Sequence, residues 1–283
     1  MDTELIYSVY EALESRYRNT PCFQTGFFDL DDLLSLREKG VLITIGARPA
    51  MGKTSFMYNI MQNVAKQGKK CLLFSLEMSK EQVVHRLLCS EAEVDSQRLR
   101  SGNMQANDWE KLANTITTLI DEPIFIEDKP ALMVEEMEEK IKELKPEVVF
   151  IDYLQLVETS GKRDRCGQID HIMKELKRIS DENEIIIFIS SQLSRALEQR
   201  IDKRPMLSDL RDSGSVENIS DIVIFIYRSE YYNNNSDDEY AVWRRGEAEI
   251  IVAKNRFGSV GTVLLKFAYH ITKFVNPVKV EWF

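Results

Sequence analysis

The chain has 283 residues, of which 43% are hydrophobic and 29% charged, and it carries a formal net charge of −9. That length holds one large α/β domain or two small ones with a sizeable core, and no apolar run approaches the roughly 18 residues of a membrane-spanning helix. The negative balance excludes a broad, nonspecific nucleic-acid binder, though not one that presents a few basic residues to a channel.

The amino-terminal stretch MDTELIYSVYEALESRY is acidic and amphipathic and does not read as a signal peptide. Leu5, Ile6, Val9, Tyr10, Leu13 and Tyr17 form an apolar stripe at helical spacing, and Asn19, Thr20 and Pro21 end it. The pattern predicts a helix over residues 1–20 as a unit apart from 21–283, packed on its own domain or docked on a neighbour. TGFFDLDDLL then reads as a turn into a short amphipathic helix. The four cysteines (Cys22, Cys71, Cys89 and Cys166) show neither CxxC spacing nor a pairing pattern, and point to a reducing, cytoplasmic setting.

In VLITIGARPAMGKTSF, Val41 to Ile45 form a β-branched run, a Gly/Pro turn follows, and Phe56, Met57, Ile60, Met61 and Val64 begin a helical pattern. Strand, turn and helix with Gly52, Lys53 and Thr54 at the junction are the setting of a phosphate-binding loop. Its backbone N–H groups and the helix N-terminus favour an anion there. The loop residues are Ala47, Arg48, Pro49, Ala50, Met51, Gly52, Lys53, Thr54 and Ser55. Ala47 stands where the common pattern has its first glycine, and Gly46 lies one position early.

Cys71 to Leu76 reads as a buried strand ending at Glu77. A helix over Ser79 to Cys89 follows, with Ser79 and Gln82 as a reciprocal cap and His85 as a structural or solvated residue. Asp108 to Ile120 is a second helix, IFIED a short strand, and Val134 to Leu144 a helix stopped by Pro146. Val148 to Ile151 is a buried strand closed by Asp152. A polar, basic loop, ETSGKRDRCGQ, leads to a helix through Ile169, Ile172, Met173, Leu176 and Ile179. Ile185 to Ile189 is a strand ending in Ser190, Ser191 and Gln192, and residues 198–215 read as a polar linker. Ile222 to Tyr227, Glu249 to Ala253 and Val263 to Tyr269 are strands, with an Asn/Asp-rich mobile loop over Tyr231 to Asp238. Apolar strands alternating with helices predict a mostly parallel sheet covered on both faces, with an antiparallel extension at the end.

Ligands of such sheets bind at the carboxyl ends of the strands, which directs attention to Glu77, Asp152 and Gln192. Asp152 beside a phosphate loop fits a carboxylate that holds Mg²⁺ together with the Thr54 hydroxyl. Glu77 fits a base that activates water, or a charge at the start of the next helix. Gln192 fits a γ-phosphate contact or a helix-entry residue. Phosphoryl transfer needs charge stabilisation, for which Lys254 and Arg256 in AKNRFGSVG are the candidates.

GARPAMGKTSF, FSLEM, VVFIDYLQL, SSQLSR, LSDLRDSGSVENISD and KNRFGSVG occur in the order found in DnaB-like replicative DNA helicases, a RecA-like group, and the similarity runs from about Thr25 to the C-terminus. The resemblance implies a RecA-like P-loop NTPase fold and an ATP- and Mg²⁺-dependent motor that travels 5′ to 3′ on single-stranded DNA in replication. It implies Glu77 as catalytic glutamate, Asp152 as Walker B aspartate and Gln192 as γ-phosphate sensor. Lys254 and Arg256 match a basic finger that enters the ATP site of the adjacent subunit of a homo-oligomer, most simply a hexameric ring. The family also accepts alanine at the position of Ala47. DLRDSG resembles the central-channel loop that tracks DNA, through Arg211, Asp212 and Gly214. Asp212 stands where bacterial relatives usually carry Glu, and the loop with Lys162, Arg163 and Arg165 is a second DNA-binding candidate. Residues 3–18 resemble the family's linker helix, which points to a fragment of a longer protein or to a short form. The family implies primase and helicase-loader partners. Two other readings of the residues are a RecA-like ATPase of recombination or regulation, and a short subunit that modulates a full-length helicase.

Overall fold

The structure is a computed structural model that describes residues 6–7, 10, 23–161, 164–210, 213–232 and 245–277. Nine strands form one sheet in the order β3-β2-β4-β5-β1-β6-β7-β8-β9. They are β1 (Val41–Ala47), β2 (Cys71–Ser75), β3 (Ile124–Glu127), β4 (Val148–Asp152), β5 (Ile186–Gln192), β6 (Ile222–Tyr227), β7 (Glu247–Asn255), β8 (Gly261–Ala268) and β9 (Lys273–Val275). Neighbours from β3 to β6 are parallel, and β6 to β9 are joined antiparallel. The helices are α1 (Phe28–Leu34), α2 (Lys53–Lys66), α3 (Lys80–Ala92), α4 (Ser96–Ser101), α5 (Ala106–Leu119), α6 (Val134–Leu144), α7 (Arg165–Glu182) and α8 (Ser213–Ile219).

Successive strand residues face opposite sides of the sheet, and the two cores follow that parity. Ile43, Ile45, Leu73, Phe150, Phe188 and Ile224 pack with Phe56, Ile60 and Met61 of α2 on one face. Leu42, Leu72, Val149, Ile187 and Val223 pack with α6 and α7 on the other. The central strands are covered on both sides, so they read as continuous apolar runs. Strands β7 and β8 bury Ala248, Ile250, Val252, Val263, Leu265 and Phe267 in alternation, all on the α2 face. Phe267 packs at 4.5 Å against Phe274 of β9 with the rings tilted by 41°, and Phe274 lies edge-on to Phe56 at 5.2 Å. This aromatic contact lays the antiparallel extension against the start of α2.

Several expectations shift. The basic loop ends earlier than its composition suggests, because Asp164 accepts from Gly167 N and starts α7 at Arg165. Residues 198–215 are not a bare linker. Leu210 is buried and bridges Leu193, Asp209 accepts from Arg200, and α8 begins at Ser213. Two further elements, besides α8, lie outside the sequence reading. Helix α4 is capped by Asp95 and closed by Gly102 at φ 72°, and β9 is only three residues long. Strands β1 and β5 run on to Ala47 and Gln192. The proposed helix at 1–20 falls outside the described residues, apart from helical Ile6, Tyr7 and Tyr10, as does most of the Tyr231–Asp238 tip. Among the described residues no helix is long and apolar enough to cross a membrane.

Candidate nucleotide site

The parity that builds the α2 core also builds the site. On β4, Val148 and Phe150 face α2, so Asp152 does too. On β5, Phe188 is followed on the same face by Ser190 and Gln192. At the carboxyl ends the apolar residues give way to polar ones. The Thr54 hydroxyl, in the first turn of α2, donates to Asp152 Oδ2 at 2.8 Å, and the Ser190 hydroxyl donates to Oδ1 at 2.6 Å. Lys53 Nζ lies 3.9 Å from Oδ1 and 4.7 Å above the Tyr153 ring. Asp152 is 2% exposed. Burial lowers the Lys53 pKa, and the charges of Asp152 and Glu77 oppose that shift. Burial also raises the Tyr153 phenol, reinforced by Glu77 and Asp152.

The loop between β1 and α2 is held from both ends. Met51 is 1% exposed and sits in the α2 core, so its side chain anchors the loop and does not line the cleft. Arg48 lines the cleft, but its guanidinium is committed inward. It donates to Glu198 at 2.9 and 2.7 Å and to the Leu193 carbonyl at 2.8 Å. The side chains of these two residues hold the loop in place, which leaves their backbone as the part that can face a ligand. Ala50 and Gly52 both have positive φ, at 65° and 95°, which turns successive backbone N–H groups toward a common concavity. A Cβ at Gly52 would stand 3.0 Å from Phe274 Cζ, so glycine is required there by conformation and by space.

Around the loop opens a cleft of about 920 Å³. Glu77 lies exposed at its edge, two residues beyond β2. Gln192, half-buried, pairs in register with Ala47, and its N–H donates to Gln155 Oε1 at 3.3 Å. His85 is exposed on the cleft wall, consistent with a solvated residue. The opposite wall comes from the antiparallel extension. Arg228 follows β6, lies 4.4 Å over the Phe267 ring, pairs with Glu230 and donates to the Ala50 carbonyl at 3.3 Å. Tyr269 and Thr272 complete that wall.

The sequence reading did not single out Ser190, Tyr153, Arg228, Phe267 or Tyr269. Parity along β5 marks Ser190. Nothing local marks the other wall, because Arg228 stands 178 residues from its contact at Ala50.

Lys254 and Arg256 do not line the cleft. Lys254 Nζ donates to the carbonyls of Glu217, Asn218 and Ser220 at 2.6, 3.2 and 2.7 Å. Arg256 donates to Asp221 Oδ1 at 2.7 Å and to the Asn218 carbonyl at 2.6 Å. Of the DNA-contact candidates, Arg211 and Asp212 lie outside the described residues, and Gly214 is exposed in the first turn of α8. Lys162 and Arg163 also lie outside. Arg165 donates to the Gln155 carbonyl at 2.7 Å.

A loop of inward N–H groups at a helix N-terminus, with a lysine and a buried carboxylate beside it, is chemically a polyphosphate cradle. The carboxylate of Asp152 and the hydroxyl of Thr54 are hard oxygen donors of the kind Mg²⁺ takes alongside phosphate and water. Among the described residues no group of three or more His, Cys, Asp or Glu side chains forms a self-sufficient metal site.

Residues 22–276 match the DnaB-like helicase C terminal domain family. The chain is 43% identical over 277 residues to the replicative DNA helicase DnaC of Bacillus subtilis (strain 168), which covers 95% of this chain and 60% of that protein. Identity, length and coverage are the same with the replicative DNA helicase DnaB of Geobacillus stearothermophilus. The chain therefore spans about 60% of the length of these relatives. Among solved structures, a DnaB-like replicative helicase described with its interactions with primase superposes with a TM-score of 0.89 at 36% identity, over 98% of this chain and 67% of that one. The ATPase domain of G40P superposes with a TM-score of 0.88 at 35% identity, over 98% of this chain and all of that one.

Proposed function

The chain belongs to the DnaB-like helicase C-terminal domain family, and from that premise we propose that it is the motor of a replicative DNA helicase. It binds ATP in the cleft around Gly52–Thr54, hydrolyses it between subunits of a ring, and converts turnover into 5′ to 3′ travel on single-stranded DNA.

One observation carries this reading. The two halves of the catalytic charge sit at opposite ends of the same strand. The phosphate loop follows Ala47 at the carboxyl end of β1, while Arg256 is bound to Asp221, whose carboxylate accepts from Leu42 N near the amino end. Five residue steps along a strand span roughly 16 Å, beyond the reach of an arginine side chain. In this reading Arg256 serves a second copy of the chain: two of its nitrogens are bonded to Asp221 and to the Asn218 carbonyl, while the side chain stays 44% exposed.

In the cleft, Lys53 neutralises the β- and γ-phosphates and the loop N–H groups orient them. Asp152 and Thr54 would hold Mg²⁺, which would supply charge to offset that of the phosphate oxygens. Ser190 fixes the second Asp152 oxygen, so the carboxylate cannot rotate away. Glu77 polarises the attacking water, and Gln192 contacts the γ-phosphate. The base lies toward Arg228 and the exposed Tyr269, where a guanidinium and an aromatic ring offer stacking surfaces. Arg211, Asp212 and Gly214 track the DNA backbone. A ring repeats those few contacts around one strand, which reconciles DNA binding with the acidic total charge. Primase and a loader are further partners in this reading.

The test compares Lys53→Ala with Arg256→Ala. Lys53→Ala loses both tight nucleotide binding and hydrolysis. Arg256→Ala binds nucleotide within about threefold of the parent and loses about 10³-fold or more of its turnover. Full DNA-stimulated turnover by Arg256→Ala would remove the finger assignment. Failure of the parent chain to displace a strand from a forked duplex with ATP would remove the helicase reading.

A further inference from the structure

We infer that Asp221 is a positioning residue for the arginine finger, a buried carboxylate that fixes Arg256 in the pose it presents to the neighbouring subunit. The inference rests on the inter-subunit reading above and assigns a role that this reading leaves open.

Asp221 is 2% exposed and lies just ahead of β6. Both carboxylate oxygens are engaged. Oδ1 accepts from Arg256 Nη1 at 2.7 Å, and Oδ2 accepts from Leu42 N at 3.0 Å and from Lys177 Nζ at 2.8 Å. The main chain repeats the linkage, with Asp221 N donating to Leu42 O at 2.9 Å and Arg256 N donating to Asp221 O at 3.0 Å. The carboxylate cannot rotate without giving up a bond to β1. A guanidinium has five N–H donors in a rigid fork. Nη1 and Nη2 are turned inward, to Asp221 and to the Asn218 carbonyl, which leaves the remaining donors for a partner while the side chain stays 44% exposed. A charge fixed before the transition state forms need not be reorganised when it forms. Lys254, two residues earlier in β7, bonds the carbonyls of Glu217, Asn218 and Ser220 at the end of α8.

Strand β1 thus has this chain's phosphate loop at one end and, through Asp221, the arginine destined for the next chain at the other. Asp221 touches no reacting atom, so its effect must appear in turnover and not in nucleotide affinity.

The experiment uses the whole chain in three variants, Asp221→Asn, Arg256→Ala and Lys53→Ala, assayed alone and in pairwise mixtures. Mixing Arg256→Ala with Lys53→Ala creates interfaces that join an intact loop to an intact finger, and turnover should rise at least about tenfold over either variant alone. Asp221→Asn should lose at least about tenfold in turnover, bind ADP within about threefold of the parent, and recover on mixing with Lys53→Ala in the same way. Recovery of the Arg256→Ala mixture without recovery of the Asp221→Asn mixture would overturn the inference, as would a loss of ADP affinity in step with turnover. An inactive Arg256→Ala mixture would instead overturn the finger reading beneath it. Lys177→Met removes a partner of Asp221 but leaves the Asp221–Arg256 bond, and it carries the test if Asp221→Asn fails to melt cooperatively. It should lower the melting temperature and keep turnover within about threefold. A collapse of its turnover would mean that Asp221 balances core charge and does not aim the finger.

Discussion

At the carboxyl ends of β1, β4 and β5 the polar groups converge on an open cleft. At the far end of β7, Lys254 and Arg256 are turned back onto the carbonyls of α8 and onto Asp221. The first region is complete for binding, with loop, lysine, hydroxyl and carboxylate within one chain. The second holds its cations in place through bonds to Asp221 and to the carbonyls of Glu217, Asn218 and Ser220. The difference is what the proposed function turns into a separation of binding from turnover: under that proposal binding belongs to a single chain, and turnover needs the second region of another chain.

The comparison breaks most visibly at Asp152. Asp152→Asn leaves Lys53, Thr54 and Ser190 facing a neutral amide, and hydrolysis should fall about 10³-fold or more. A stopped-flow or coupled phosphate assay at saturating ATP and Mg²⁺ reads this, and a loss below tenfold would detach Asp152 from the chemistry. Gly52→Ala comes next. It forces a side chain into φ 95° and against Phe274, a cost of about 1–3 kcal/mol at one residue. Calorimetry with ADP should show at least a tenfold weaker complex, while the fold melts cooperatively.

Arg228→Ala removes the cation over Phe267 and the bond to Ala50 O. An interaction of about 0.5–2 kcal/mol corresponds to roughly twofold to thirtyfold in nucleotide affinity, with the rate at saturation largely kept. A fall in rate with unchanged affinity would place Arg228 with the finger region instead. The smallest effect concerns the thiols. Burial raises Cys71 to about 12 and Cys89 to about 11, so both stay protonated at neutral pH. Mass spectrometry after native alkylation at about pH 8 should find these two unmodified until the chain unfolds. Because the folded-state values are raised, any stability they contribute is present below the unfolded pKa and is lost as pH rises through about 11 to 12.

The two regions also differ in how much of them the sequence discloses. The phosphate loop, its strand and helix and the carboxylate of Asp152 follow from local pattern, because the chemistry and the secondary structure occupy the same residues. The capping box of Ser79 and Gln82 is present as its spacing indicates. The wall made by Arg228, Phe267 and Tyr269 follows from none of this. It arises when three antiparallel strands fold back on α2, and no period in the sequence links residue 50 to residue 228. The burial of Met51 and the inward turn of Arg48 are equally non-local. Each is fixed by a core or a carboxylate that comes from elsewhere in the chain. The turn-rich composition of 198–215 concealed two anchoring contacts, Leu210 against Leu193 and Asp209 against Arg200.

The separation of binding from turnover is tested most directly by ATP turnover per chain measured against protein concentration, with and without single-stranded DNA, while mass in solution is followed in parallel. Nucleotide binding should be independent of concentration, whereas turnover should rise cooperatively as assemblies form and rise again with DNA. A monomer that hydrolyses ATP at a constant specific rate and ignores DNA would contradict the account.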